Sequence, residues 1–150
     1  MDPQERRQCL ETFERRCRKR GLPITPQRRI ILEESLELDN HPNADQVYGR
    51  VVHRLPGISR TTVYRTLETL VALGLIAKTC HSGRSVRFDR RTEVHHHLVC
   101  MRCESILDIS DPGLDSLRLP DTSDFGFDVV DHRVQIRGVC RRCREKEEER

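Results

Sequence analysis

The stretch Ser59-Arg60-Thr61-Thr62-Val63-Tyr64-Arg65-Thr66-Leu67-Glu68-Thr69-Leu70-Val71-Ala72-Leu73-Gly74-Leu75-Ile76 decides how the first half of the chain is read. Ser59 is a good N-cap, because its hydroxyl can accept from an orphan amide of the first turn. Val63, Leu67 and Leu70 then recur on one helical face. Gly74 stands where a glycine closes a helix in the left-handed conformation. The spacing predicts a helix over 59–73. After Leu75-Ile76 the pattern changes, and 77–80 and 86–88 read as short strands joined by a turn at Ser82-Gly83.

Three more helices are expected upstream. Residues 4–19 carry Leu10, Phe13 and Cys17 on one side, with Cys9 alongside, and Gly21 and Pro23 end the run. Thr25-Pro26 pairs an N-cap with a proline that tolerates the first helical position, and Ile30, Ile31, Leu32 and Leu36 follow. His41-Pro42-Asn43 precedes a third helix with Val47, Val51 and Leu55 in register, broken by Pro56-Gly57. Helices followed by a two-stranded ribbon are the order of a winged helix-turn-helix.

The second half reads as strands at 97–99, 106–109 and 127–139, with a short helix within 111–119 and a solvated charged tail at 145–150. The fold class expected is α+β, with a winged-helix DNA-binding domain over 1–88 and a second domain over 89–150. Residues 1–88 hold 16 Lys and Arg against 10 Asp and Glu, a net of +6, whereas 89–150 hold 11 against 14, a net of −3. A basic first half fits a nucleic-acid surface, although charge alone fits a well-solvated surface equally. No apolar run reaches the length of a membrane span and the first residues are rich in Glu and Arg, so neither a spanning segment nor a signal peptide is expected, and the location expected is cytoplasmic.

Seven cysteines in such a chain are more often metal ligands or buried thiols than a disulfide framework. Cys100-Met101-Arg102-Cys103 and Cys140-Arg141-Arg142-Cys143 are two C-x-x-C knuckles, and together they offer a closed tetrahedral S4 site of the kind zinc prefers. A thiol redox pair and ordinary core cysteines are the competing readings. Such a staple also answers a physical problem, because a domain of roughly 60 residues rarely buries enough apolar area alone. Cys9 and Cys17 read as buried thiols, and Cys80 has no assigned role.

His95, His96 and His97 precede the first knuckle, and on a strand His95 and His97 share one face. With His41, Asp89 and Asp108 they make a set of three nitrogen and two oxygen donors, which suits Fe(II) or Mn(II) better than thiolate would. Singly, each reads as a plain surface residue.

Over nearly its whole length the sequence resembles the ferric uptake regulator (Fur) superfamily. The residues that carry the resemblance are Thr25-Pro26-Gln27-Arg28, the run from His41 to Tyr48, the run from Ser59 to Leu67, Gly74-Leu75-Ile76, Arg87-Phe88-Asp89, the run from His95 to Cys103, and the Cys140–Cys143 knuckle. The resemblance implies a homodimeric repressor of palindromic double-stranded DNA, with an α/β dimerisation and metal-binding domain after the winged helix. It implies structural zinc at Cys100, Cys103, Cys140 and Cys143. It implies regulatory Fe2+ or Mn2+ at His41, Asp89, His95, His97 and Asp108, with ligands drawn from both domains. It implies a recognition helix at 59–73 with Tyr64 toward DNA, and Ser59, Arg60, Thr61, Thr62, Arg65, Arg20 and Arg28 as further DNA contacts.

Asp at both 89 and 108 is the pattern of the peroxide-sensing (PerR) subgroup, whereas iron-uptake members usually carry Glu. By this resemblance iron oxidises its own ligand, at His41 or His95. Arg65 beside Tyr64 is instead usual in the iron-uptake subgroup. An accessory site at His96, Asp115 and His132 looks incomplete, because Val94 stands where another His is often found. Three readings compete: an iron- or other metal-uptake regulator, a metalloenzyme using the His/Asp set, and a zinc-stabilised interaction module. No nucleophile arrangement and no Gly-rich phosphate loop stands out, so no enzyme and no small-molecule substrate is expected.

Overall fold

The computed structural model describes residues 2–79 and 86–148. They form two compact units, Met1–Thr92 and Glu93–Arg150. The division falls after Thr92 rather than after Phe88, because Asp89 still pairs with Ala77 in the first unit's ribbon.

The first unit contains α1 (Pro3–Lys19), α2 (Pro26–Glu37), α3 (Ala44–Arg54), α4 (Arg60–Ala72), β1 (Ala77–Thr79) and β2 (Arg87–Asp89). Each helix starts on the chemistry its sequence advertises. Asp2, Thr25, Asn43 and Ser59 all accept from amides of the turns they cap, and Asn43 and Gln46 form a reciprocal capping box. Helix α4 ends in a Schellman turn: Gly74 has φ +68°, its N–H donates to Val71 O, and Leu75 N–H donates to Leu70 O.

Helices α2, α3 and α4 pack on one another. Their fully buried side chains, Ile31, Leu32, Val47, Val51, Val63, Leu67 and Leu70, join Phe13 of α1 and Phe88 of β2. Burial of each such side chain stabilises by about 1.5–3 kcal/mol. Two arginines of α1 reach the end of α4. Arg16 Nη1 donates to Leu73 O at 2.6 Å and Gly74 O at 2.7 Å, and Arg20 Nη1 donates to Ala72 O at 2.7 Å. They satisfy carbonyls that the helix end leaves without partners and complement its negative dipole.

The ribbon pairs Ala77 with Asp89 and Thr79 with Arg87. The strand expected at 86–88 is therefore displaced to Arg87–Asp89. The reason lies on its other edge, where Asn43 bridges Arg87 and Phe88 N–H donates to Pro42 O at 2.9 Å. Cys80 and the turn expected at Ser82-Gly83 lie outside the described residues.

The second unit has β3 (His96–Cys100), β4 (Ile106–Ile109), α5 (Pro112–Asp115), a 3-10 turn at Ser123–Phe125, β5 (Gln135–Gly138) and α6 (Arg141–Glu148). The sheet order is β4-β3-β5, antiparallel on one side of β3 and parallel on the other. The strand expected at 127–139 contracts to Gln135–Gly138. Its alternating apolar side chains are not buried within this chain: Phe127 is 63% and Val130 95% exposed. The helix expected within 111–119 is a single turn capped by Asp111. The charged tail is helical through Glu148, supported by an i,i+4 pair between Arg141 and Glu145.

Candidate functional site

The four knuckle cysteines converge. Their sulfurs all lie within 4.8 Å of one another. The first knuckle turns through Glu104, at φ +57°, whose N–H donates back to Cys100 O. The second places Cys143 in the first turn of α6. Cys103 Sγ is 3.2 Å from Ser105 Oγ and 3.7 Å from Cys140 Sγ, and Cys140 N–H donates to Cys100 Sγ.

These contacts set the acidities of Cys100, Cys103 and Cys143 apart. The side-chain and backbone hydrogen bonds of Ser105 hold Cys103 down to about 5. Backbone amides lower Cys100 as well. Cys143, hydrogen-bonded to Cys140 and crowded by the other sulfurs, is pushed up to about 12. Four thiolates this close repel one another unless a cation sits among them. The donor set, its closure and its spacing are compatible with a structural zinc site.

In the first unit, antiparallel register decides where His41 lies. The Asn43–Arg87 bridge and the Phe88-to-Pro42 hydrogen bond set residue 41 opposite residue 89. His41 Nε2 is 3.0 Å from Asp89 Oδ2, and the two are 7% and 4% exposed. The chain reaches this position through consecutive left-handed residues, Asn40 at φ +63° and His41 at φ +52°. Such conformations are costly for residues other than glycine and persist only where surrounding contacts impose them. Asp89 Oδ1 accepts from Arg91 N–H at 2.8 Å, which fixes the carboxylate.

In the second unit, the β3–β4 register makes His97 and Asp108 direct cross-strand partners. His95 Nε2 lies 3.0 Å from His97 Nε2 and 3.5 Å from Asp108 Oδ1. His95 Nδ1 is 2.8 Å from Glu93 O, an atom that can only accept. Nδ1 therefore carries the proton, and Nε2 presents a lone pair toward His97 and Asp108. This is how a ligating imidazole is usually oriented. The sequence reading missed Glu93, because a backbone carbonyl leaves no signal in side-chain type. Among the described residues, the His/Asp group of each unit thus presents imidazole nitrogen and carboxylate oxygen, a donor chemistry that fits Fe(II) or Mn(II).

His96 faces away from that cluster. Its Nδ1 accepts from Val134 N–H, so its Nε2 donates to Asp115 Oδ1 at 3.1 Å. His132 Nε2 donates to Leu114 O at 2.8 Å. The three side chains that the sequence grouped as an accessory site form a hydrogen-bonded brace between β3, α5 and the approach to β5.

On α4, Tyr64, Thr61 and Arg65 are exposed, and Ser59 Oγ accepts from Thr62 N–H at 3.0 Å. Arg60 pairs with Asp45 of α3 and stacks over the Tyr48 ring, 4.5 Å from its centroid. The arginines expected to touch DNA are thus placed differently. Arg65 is exposed on α4, Arg20 is tied to the end of α4, and Arg28 Nη1 donates to Pro23 O at 2.7 Å.

Comparison with known proteins bears on the family. The profile of the ferric uptake regulator family matches residues 19–137. A peroxide operon regulator of Bacillus subtilis is 37% identical over 147 residues, spanning 98% of this chain and 99% of the relative. A peroxide-responsive repressor, PerR, of Staphylococcus epidermidis is 36% identical over 129 residues, 86% of each chain. Among solved structures, the Helicobacter pylori ferric uptake regulator Fur superposes with a TM-score of 0.80 over 93% of both chains at 20% identity, a likeness of fold. A zinc-bound manganese uptake regulator superposes with a TM-score of 0.65 at 32% identity, over 86% of this chain and 98% of that one. A matching profile over most of the chain, relatives above 30% identity along its length and the shared fold lead to one conclusion: the chain belongs to the ferric uptake regulator family.

Proposed function

We propose that this chain is a homodimeric, metal-dependent transcriptional repressor of palindromic operator DNA, and that it responds to peroxide by oxidation of its own His41 or His95. Residues 1–88 hold the DNA, through Ser59, Arg60, Thr61, Thr62, Tyr64 and Arg65, with Arg20 and Arg28 as further contacts. Residues 89–150 pair the copies and are stapled by zinc at Cys100, Cys103, Cys140 and Cys143. His41 from the first part, Asp89 at the boundary, and His95, His97 and Asp108 from the second would supply the ligands of one regulatory Fe2+ or Mn2+. Ligands drawn from both parts would bias the hinge toward the spacing of a palindrome, a population shift governed by the ion's differential affinity. No described helix is long and apolar enough to cross a membrane, in keeping with a cytoplasmic regulator.

The observation that carries the reading is the pair of register-set couples, His41 with Asp89 and His97 with Asp108, both using the short carboxylate. The shorter side chain leaves bound iron more open to peroxide. Bound Fe(II) would supply the redox chemistry. In the overall balance, one peroxide oxygen enters an imidazole ring, the other leaves as water, and the ring loses the two electrons that peroxide gains. An oxidised ring is a poorer ligand, and DNA is released. The relatives named for peroxide support this choice.

The test is direct. Zinc-replete protein is loaded with Fe(II) without oxygen and given a small dose of hydrogen peroxide, and the peptides containing His41 and His95 are weighed. One added oxygen atom at either histidine, absent from a Mn(II)-loaded control, is the expected result. Unmodified histidines would favour the second reading, a regulator that senses metal level alone, to which Arg65 beside Tyr64 and the 32% identity with a manganese uptake regulator lend weight.

A further inference from the structure

The contact between Arg60 and Asp45 has no part in metal binding, and its residues line a surface cavity of about 400 Å3 with Thr61, Tyr64, Asn43 and Ala44. Arg60 is the first residue of α4, and Tyr64 follows one turn later on the same face. Residues at the start of a recognition helix are those that reach base edges. An exposed arginine normally samples many rotamers, and that freedom is lost on binding. Here two groups restrict it. Asp45 lies in the first turn of α3, where the helix dipole favours an ionised carboxylate, and it engages Arg60 Nη1. Tyr48 lies one turn further along α3 and packs against the buried core, so the ring beneath the guanidinium is a fixed platform. The Nε–Nη2 edge of the fork remains the edge that can meet a base. Two parallel N–H groups on one edge match the O6 and N7 acceptors of guanine.

We propose that Asp45 and Tyr48 are positioning residues that hold Arg60 to read a guanine in the operator half-site. The proposal rests on α4 being the DNA-reading helix. Asp45 then has two opposed effects on binding. Its charge repels phosphate and lowers affinity for every sequence, while its hold on Arg60 raises the preference for one base. A carboxylate that merely neutralised Arg60 would do only the first.

The experiment uses the full chain, zinc-replete and loaded with Mn(II). Selection from a duplex library with randomised half-sites identifies the preferred operator. Fluorescence anisotropy then compares that duplex with one changed at each guanine. The wild-type protein should show one guanine whose replacement weakens binding roughly 5- to 150-fold, the range for a bidentate contact. R60A and R60K should both lose the preference at that position alone, with the preferences at the other positions of the half-site kept. D45A should raise affinity for unrelated DNA yet reduce the preference at the same position by about two- to fivefold, and D45E should restore it. Both side chains are exposed, so circular dichroism should show these variants folded as the wild type is. If D45A strengthens binding to all duplexes and leaves the ratio unchanged, Asp45 is only a competing charge and the proposal is wrong. An unchanged ratio in R60A overturns it as well. Should the wild-type protein enrich no sequence at all, the repressor reading fails and takes this proposal with it, an outcome distinct from the other two.

Discussion

His41 and Asp89 stand opposite each other because the Asn43–Arg87 bridge and the Phe88-to-Pro42 hydrogen bond fix the backbone between them. The couple is set by main-chain register, and the side chains complete it. His97 and Asp108 repeat the device across β3 and β4. Each couple keeps its own geometry without an ion, which under the proposed ligand role would lower the ordering cost of binding.

Replacing a member of either couple should therefore remove the metal response without unfolding the chain. H41A, D89A and H97A are expected to lose Mn(II)-dependent DNA binding in anisotropy titrations while retaining zinc and the wild-type helical signal. D89E and D108E should keep metal-dependent binding and lose sensitivity to peroxide. Retention of full peroxide sensitivity by the double Glu variant would count against the role given to the short carboxylates.

The split acidities of the knuckle predict an order of reaction. In zinc-stripped protein at about pH 7, Cys103, held near 5, should be alkylated well before Cys143, pushed up to about 12. Mass spectrometry of the two knuckle peptides over time gives the comparison. Because zinc must displace the Cys143 proton, zinc affinity should fall as pH drops. C143S should release zinc and destabilise the second unit.

Glu34 predicts an acid dependence of the first unit. It is 7% exposed and is held by Arg50 Nε at 3.1 Å and Arg54 Nη1 at 3.0 Å. Desolvation raises its pKa, but the hydrogen bonds and charges of Arg54 and Arg50 outweigh that effect and the net shift is downward. A carboxyl depressed on folding stabilises fully above its unfolded pKa, and the contribution drains as pH falls through the folded value. E34Q should cost about 2 kcal/mol near neutrality. That deficit should shrink below about pH 4, as measured by urea denaturation at each pH. A gap independent of pH would assign the effect to packing instead.

Gly74 predicts a backbone cost. A Cβ there would sit 2.9 Å from Arg16 Nη1, and φ is +68°. G74A should lose about 1 kcal/mol from the left-handed strain. R16A should lose a comparable amount by leaving two helix-end carbonyls without their donor. The double variant should cost less than the sum, because Arg16 is the atom group the new methyl meets.

Much of this molecule was legible in its sequence because the governing physics is local. Caps at Thr25, Asn43 and Ser59 depend on a side chain and the amides two or three residues on. The C-x-x-C knuckles announce convergent sulfurs, and alternation places His95 and His97 together. Tertiary structure decided the rest. Register with the 41–43 segment moved β2 by one residue and brought His41 to Asp89. Residues 127–134 stay outside the sheet despite their alternation, because β5 pairs with β3 only over Gln135–Gly138. Which carbonyl an arginine of α1 reaches, as Arg20 reaches that of Ala72, depends on which helix end lies beside it in space. Composition carries no trace of that, because a long side chain finds its partner only after the chain has folded.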